Sequence, residues 1–178
     1  GVLTSVFMAR FCPEGLYKLL KPVVNLLAGI PSIVYGFFGL VVLVPFIREH
    51  FKNSNGQSIL CASILLGIMI LPTIIRTTQE SLKTVPQAYR EGALALGAGK
   101  WHTIRTVVLP NAVDGIVTGC ILAIGRIVGE SAALLFTAGF GLVLNSFAES
   151  LQSSSATLTV ALYIYASERG ETGVAFAI

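Results

Sequence analysis

Two ionisable residues, Arg126 and Glu130, stand four positions apart inside an otherwise uncharged run, residues 115–140. On a continuous helix this spacing places both side chains on one face, where they can form an ion pair. A charge at mid-bilayer costs about 2.5–3.5 kcal/mol on insertion scales. A guanidinium presents a planar fork that matches the oxygens of phosphate. The pair therefore predicts either an anion path, lined by Arg126 and kept neutral by Glu130, or a structural ion pair that locks helices together.

A second pattern lies outside the apolar runs, at residues 91–97 (EGALALG) and residues 107–110 (VVLP). It predicts two short helices, the first beginning near Pro86, joined by a glycine turn at residues 97–99. Small residues allow close backbone contact with a partner, Glu91 can accept hydrogen bonds, and Trp101 and Ile104 are possible apolar anchors. The alternative is an ordinary hairpin that only joins two membrane spans.

The elements that must position these residues are membrane helices. The 178-residue chain is 54% hydrophobic and 12% charged, with a mean hydropathy of +0.79. Soluble domains carry about 25% charged residues, so this composition excludes an ordinary globular fold. Residues 26–47, 58–75 and 115–140 are each long and apolar enough to span a bilayer as helices. We expect a bend near Pro31 in the first span, and a kink at Pro72 in the second.

The basic residues orient these spans. Eight lie in one set of loops, against three in the opposite set, which places the first set in the cytoplasm. The eight are Arg10, Lys18, Lys21, Arg76, Lys83, Arg90, Lys100 and Arg105; the three are Arg48, Lys52 and Arg169. Residues 76–110 are therefore predicted to form a cytoplasmic loop. Arg76, at its start, is predicted to be either an anion exit contact or a positive-inside anchor.

The connections give further expectations. Pro13 should break a first helix. The apolar positions after it then predict either a helix lying at the membrane surface or the first turns of the next span. Residues 48–57, with a turn at 53–56, and residues 140–155 are predicted to be outer loops. We also expect the chain to be the middle of a longer protein, lacking helices before it and most of a last helix after it.

The remaining chemistry is sparse. Cys12, Cys61 and Cys120 are far apart, without metal or redox spacing, so we expect apolar packing residues, no metal site and no cofactor. No catalytic residue is predicted, and the sequence contains no Gly-x-x-x-x-Gly-Lys-Ser/Thr phosphate-binding loop. We expect no nucleic-acid partner.

The cytoplasmic pattern resembles the inner-membrane permeases of ABC importers. Their coupling loop carries Glu-Ala-Ala, a glycine four residues after the second alanine, and Ile-x-Leu-Pro beyond it. Here the matching residues are Glu91, Ala93, Gly97, Leu109 and Pro110, while Gly92 replaces the first alanine and Val107 replaces the isoleucine. The resemblance implies an all-α polytopic membrane protein with the type I, MetI-like transmembrane domain of an ABC importer. Residues 1–178 would form one such domain, a fragment lacking both ends.

Four segments resemble the phosphate-specific branch of this superfamily: residues 28–39 (AGIPSIVYGFFG), 70–78, 85–101 and 125–139 (GRIVGESAALLFTAG). Residues 129–139 and 158–160 look more like PstA-type permeases, and residues 30–39 also suit PstC-type permeases. The resemblance implies a permease subunit of the bacterial inner membrane that passes phosphate inward. Its implied partners are a second permease, a dimeric ATPase that hydrolyses the ATP, and an extracytoplasmic phosphate-binding protein.

Two other functions remain open at this point. The same architecture could carry another oxyanion, such as molybdate, sulfate or tungstate. The chain could also be an ATP-independent secondary carrier or channel, a class that often shows inverted repeats, which this sequence does not show.

Overall fold

The structure is a computed structural model that describes residues 1–51, 56–141 and 153–178. Within these ranges the chain forms helices and no strand. We number the α-helices in chain order: α1 Val2–Arg10, α2 Glu14–Gly29, α3 Ser32–Phe38, α4 Val44–Phe51, α5 Ile59–Thr84, α6 Gln87–Ala95, α7 Lys100–Thr103, α8 Leu109–Asn111, α9 Val113–Val128, α10 Ala132–Thr137, α11 Leu158–Tyr163 and α12 Thr172–Ala177. Three π-helical turns connect or extend them: Gly39–Leu43, Ile104–Val108 and Ile164–Glu168.

Two helical stretches of the described chain are long and apolar enough to cross a membrane: Ser32–His50, with 19 residues, and Ile59–Thr84, with 26 residues. A third candidate is a bent pair, Lys100–Asn111 followed by Val113–Val128, whose two arms differ in direction by 65°. The bend falls at Ala112, two residues after Pro110. The two straight stretches confirm the first two predicted spans, with shifted bounds.

The contacts divide the chain into two compact units, and the first comprises Gly1–Ala28 and Ile70–Gly125. Its core holds Val6 of α1, Leu82 of α5 and Val108 of the second π-helical turn. Buried polar groups add specific contacts: the Ser5 hydroxyl donates to the Ile75 carbonyl at 3.1 Å, and the Ser81 hydroxyl donates to the Ala112 carbonyl at 2.7 Å. This unit therefore holds the end of α5 against the segment where the bent pair turns.

The second unit comprises Gly29–Met69 and Arg126–Ile178. In it α3 packs closely on α10, because Gly36 carries no side chain where Ala133 approaches. Two small apolar cores follow, one around Ala62, Leu134 and Val160 and the other around Ile47 and Cys61. The backbone N–H of Ser58 donates to the carbonyl of Thr137 at 3.1 Å, which ties the start of α5 to the end of α10.

Three sequence expectations change at this level. The predicted third span does not continue to residue 140, because α9 ends at Val128 and α10 begins only at Ala132. Helix α5 runs nine residues past Ile75, because Ser81 and Leu82 are buried there and continue its packing. The apolar segment after Pro13 is a helix of its own, since α2 ends at Gly29 and Pro31, with extended backbone (φ −59°, ψ 144°), separates it from α3.

The loops give mixed outcomes. Helix α4 occupies residues 48–51, so the first predicted outer loop begins later than expected. Most of its turn, residues 53–55, and most of the second predicted loop, residues 142–152, lie outside the described residues. The break after α1 at Pro13 is confirmed, and Pro72 lies inside the uninterrupted α5.

Candidate functional site

Helices α6 and α7 form a hairpin with a closed glycine turn; we call residues 87–103 the α6–α7 hairpin. Its first helix ends with Gly97 at φ +85°, a left-handed conformation that glycine adopts without a Cβ clash. The N–H of Ala98 donates to the carbonyl of Ala93 at 3.1 Å, and the N–H of Gly97 donates to the carbonyl of Leu94 at 3.0 Å. This pair of bonds is a Schellman motif, which fixes the exit direction of the chain. The predicted glycine turn is confirmed.

The surface of the hairpin is open. Helix α6 has no buried residue. Leu96 is 91% exposed, and Trp101 and Tyr89 are more than half exposed. The Glu91 carboxylate is exposed and accepts a hydrogen bond from Nε2 of Gln87 at 2.9 Å. A Cβ added at Gly92 would meet no atom within 4 Å. The hairpin therefore presents apolar, acidic and side-chain-free positions together to a partner.

The far end of the coupling pattern is partly internal. Leu109 is half-buried and packs against the core of the first unit, whereas Pro110 is exposed in the single turn of α8. Ile104 is 5% exposed and belongs to that same core. The expectation that Ile104 anchors in a partner's pocket is therefore wrong, because its side chain is already surrounded by its own chain. Trp101 remains available, with its ring centroid 6.1 Å from that of Phe11.

Arg126 and Glu130 do not share a helix face. Helix α9 ends at Val128, and the N–H of Glu130 donates to the carbonyl of Ile127 at 3.2 Å in the turn that follows. Arg126 is exposed while Glu130 is 8% exposed. The i, i+4 expectation is wrong in its geometry, because it assumed a helix that continues through Gly129.

The structure gives Glu130 a local role instead. One carboxylate oxygen, Oε1, accepts a hydrogen bond from the backbone N–H of Ala133 at 3.1 Å, in the first turn of α10. The first N–H groups of a helix lack partners within the helix, and a carboxylate there also suits the helix dipole. The Glu130 carbonyl accepts from the hydroxyl of Thr159 at 2.9 Å. Glu130 is thus held at the start of α10 by both its side chain and its backbone.

Arg126 lies in a different environment. Leu122, one turn earlier on the same face of α9, is 56% exposed, and Ile121, Ile124 and Val128, on the other faces of the helix, are 60–68% exposed. Tyr35 of α3, whose side chain is 6% exposed, lies close enough to interact with the positive charge of Arg126. Sequence analysis missed Tyr35, although a tyrosine inside an apolar span signals a hydroxyl that needs a polar neighbour.

Arg76 lies at the surface of α5, past the predicted membrane boundary. It lines a cavity of about 230 Å³ within the first unit, together with Lys21, Glu80 and Lys83. Arg76 belongs to the first unit, and both Arg126 and Glu130 belong to the second. Within the second unit, the hydrogen bonds that Glu130 makes to described residues are with Ala133 and Thr159 and not with Arg126.

The family of the chain follows from comparison with known proteins. A family model described as "Binding-protein-dependent transport system inner membrane component" matches residues 1–167. The chain belongs to this family. It is therefore an inner-membrane transport component, and the all-α fold of an ABC-importer transmembrane domain is confirmed.

Several relatives of this transport family are similar along most of the chain. The probable ABC transporter permease protein YqgH of Bacillus subtilis (strain 168) is 42% identical over 139 residues, covering 78% of this chain and 45% of that protein. The phosphate transport system permease protein PstC of Mesorhizobium japonicum is 35% identical, with 78% and 48% covered. The phosphate transport system permease protein PstA of Yersinia pestis is 38% identical, with 77% and 44% covered. The chain spans about half the length of these relatives.

Relatives with both PstA and PstC names match at similar identity, so the resemblance to phosphate permeases is confirmed while the PstA-type assignment stays a prediction. The coupling roles of Glu91, Gly92, Ala93, Gly97, Leu109 and Pro110, and the path roles of Arg126, Glu130 and Arg76, also stay predictions.

Proposed function

We propose that the chain is the membrane-spanning part of a permease subunit that passes inorganic phosphate inward in an ATP-driven importer. The names of the PstA and PstC relatives support phosphate as the cargo. The observation on this chain that carries the proposal is the position of Arg126, a guanidinium on the exposed, apolar face of a membrane helix.

Arg126 needs water or protein around it. Facing lipid at mid-bilayer, its charge would cost about 2.5–3.5 kcal/mol on insertion scales. Because Ile121 and Val128, on other faces of α9, are exposed within this chain, a second permease subunit packed on them would cover these apolar residues and leave Arg126 facing a path between the two subunits. A guanidinium in such a path supplies planar donors for phosphate oxygens.

Phosphate uptake in cells tests this role. Arg126→Gln is expected to reduce uptake about tenfold or more, since hydrogen bonds to charged groups are worth about 1.5–3 kcal/mol. Arg126→Lys keeps the charge without the planar guanidinium fork, so its phosphate uptake should lie between that of the unaltered protein and that of Arg126→Gln. Arg169→Gln, at an exposed arginine outside the candidate spans, serves as the matched control. Full uptake in an assembled Arg126→Gln complex would remove Arg126 from the path.

Glu130 requires a pair of variants, because the structure gives it a capping bond. Glu130→Gln retains an oxygen that can accept from Ala133 but removes the charge, whereas Glu130→Ala removes both. If the charge acts in the path, loss of the charge is sufficient, so Glu130→Gln already lowers uptake while the complex still assembles. If Glu130→Gln transports normally and only Glu130→Ala fails, Glu130 acts in structure alone.

We propose that the α6–α7 hairpin docks on a separate dimeric ATPase, which hydrolyses the ATP. The support is the set of exposed apolar side chains on a cytoplasmic hairpin that buries none of its first helix. The closed Schellman turn would let the hairpin move as one rigid piece. An extracytoplasmic phosphate-binding protein would deliver the cargo at the opposite side.

Cysteine cross-linking tests the docking. Single cysteines at Gly92 and Ala95 should cross-link to the ATPase, and a cysteine at Glu49, an exposed residue on the predicted outer side, should not. Glu91→Lys is expected to leave ATP hydrolysis running without uptake, whereas Glu91→Gln, which can still bond Gln87, should stay coupled. An absence of cross-links along residues 91–97 would argue for another docking surface.

Two alternatives predict different results in the same cells. A carrier for another oxyanion would take up labelled molybdate, sulfate or tungstate in preference to phosphate. An ATP-independent carrier would continue transport after deletion of the ATPase.

A further inference from the structure

A basic cavity lies within the first unit, on the predicted cytoplasmic side. It has a volume of about 730 Å³, within the range of ligand-binding pockets, and is lined by residues of α1, α2, α6 and the end of α5. Four cationic side chains line it, Arg10, Lys18, Lys83 and Arg90, against one carboxylate, Glu14. We call this space the basic cavity. An excess of three positive charges in one recess favours an anionic occupant.

Arg10 is built into the wall of the basic cavity. Its Nη2 donates to the carbonyl of Leu82 at 3.1 Å, which fixes the guanidinium against the end of α5. Its Nε is fully buried and has no hydrogen-bond partner among the described residues. Burial lowers the pKa of Arg10, and the positive charge of Arg90 lowers it further. Arg90 therefore lies close enough to disfavour the charge of Arg10, and an anion between the two guanidinium groups would offset this repulsion.

The floor of the cavity is apolar and rigid. Leu82 and Val108 are fully buried, and Met8 is 4% exposed. The lysines differ from the arginines, since Lys18 and Lys83 are exposed at the rim, where long side chains can reach toward a ligand. The arrangement therefore combines two arginine forks at the wall with two mobile point charges at the opening.

We propose that the basic cavity is a binding site for a phosphate group, in which Arg10 and Arg90 hold the oxygens and Lys18 and Lys83 neutralise the remaining charge. The site is separate from Arg126 and Glu130, and it does not depend on which anion the permease carries.

Helix α2 indicates one source of this phosphate group. Its side chains Leu16, Leu19, Val23 and Leu26 form an exposed apolar stripe at spacings of three, four and three residues, and none of them lines the cavity. A helix with such a stripe beside a basic pocket suits the membrane–water interface, where anionic headgroups are recognised. An anionic phospholipid could place its phosphate in the cavity and its acyl chains along the stripe. Free inorganic phosphate from the cytoplasm is the other source.

Cys12 provides a local readout, because it lines the basic cavity and is partly exposed. The full-length permease, in complex with its partner subunits, would be placed in nanodiscs of phosphatidylcholine alone or with phosphatidylglycerol. Alkylation of Cys12 by N-ethylmaleimide would be followed by peptide mass spectrometry. We expect phosphatidylglycerol, or millimolar inorganic phosphate in the neutral discs, to slow Cys12 alkylation several-fold. Protection by phosphatidylglycerol identifies a lipid headgroup as the ligand, and protection by inorganic phosphate identifies free phosphate.

Arg90→Gln is the principal variant, because no hydrogen bond within the described residues depends on its side chain. This variant should weaken the binding of the protecting ligand by about tenfold to a hundredfold. Arg105→Gln removes an exposed arginine that does not line the cavity and should leave protection unchanged. Arg10→Gln should match Arg90→Gln, provided that the complex assembles. The proposal is overturned if neither lipid nor phosphate protects Cys12 from alkylation. It is also overturned if Cys12 is protected equally in the Arg90→Gln and Arg105→Gln variants.

Discussion

The contact of α3 with α10 gives the sharpest stability prediction. A Cβ added at Gly36 would lie 2.9 Å from Cα of Ala133 and 3.0 Å from Cδ2 of Phe136. The phenylalanine ring can turn aside, but Cα of Ala133 is backbone and moves only if the two helices separate. Overpacking of this kind typically destabilises by about 1–3 kcal/mol, so Gly36→Ala should lower the free energy of unfolding by that amount.

Gly67 is the matched control, because it lies inside α5, another membrane helix, and a Cβ there would meet no atom within 4 Å. In a helix interior alanine is favoured over glycine by up to about 1 kcal/mol. Gly67→Ala should therefore be neutral or stabilising. The two variants make the same chemical change, so their difference isolates the close approach of the helices.

Unfolding of the full-length permease in mixed micelles, titrated with sodium dodecyl sulfate and followed by circular dichroism, measures this difference. We expect Gly36→Ala to unfold at lower denaturant and Gly67→Ala to unfold at the same or higher denaturant. If Gly36→Ala were as stable as Gly67→Ala, α3 and α10 would have to be farther apart than the structure places them, and the reasoning from their contact would fail.

Three further predictions concern single residues. Gly97→Ala should destabilise the end of α6 by about 1–2 kcal/mol, because Gly97 has a positive φ. Gly92→Ala should stabilise α6, because a Cβ there meets no atom within 4 Å. Amide hydrogen exchange in α6 should therefore become faster in the first variant and slower in the second. Ser81→Ala should lower stability by about 1 kcal/mol through loss of the bond to Ala112, with equal stability in denaturant titration contradicting it. Cys61, fully buried, should resist alkylation until the chain unfolds, and rapid labelling of the folded protein would refute its burial.

Local chemistry made part of this fold predictable. Pro13 and Pro31 mark the ends of helices because proline lacks the N–H and restricts the preceding residue. Gly97 marks the hairpin turn because the backbone there needs a positive φ. Long apolar runs indicated membrane helices because an unpaired backbone is too costly in lipid.

Other features depended on contacts between distant parts of the chain. The break after Val128 has no proline to announce it, and Glu130 becomes a cap only once α10 starts at Ala132. Ile104 looked like an anchor because its burial comes from α1 and α5, far away in sequence. Two charges in an apolar run identified Arg126 and Glu130 as candidate path residues, but this pattern did not indicate that Glu130 is buried while Arg126 is exposed.

The π-helical turn Ile104–Val108 has a consequence for how this protein tolerates change. Such a turn behaves as one residue inserted into an α-helix, and each residue of an α-helix turns the chain by about 100°. Because the wider turn accommodates that extra residue, deleting one residue there would let a regular α-helix form with little rotation of Trp101 relative to Leu109. The direction in which the hairpin faces should therefore survive a one-residue deletion in this turn, whereas the same deletion in a regular α-helix would rotate the preceding segment by about 100°.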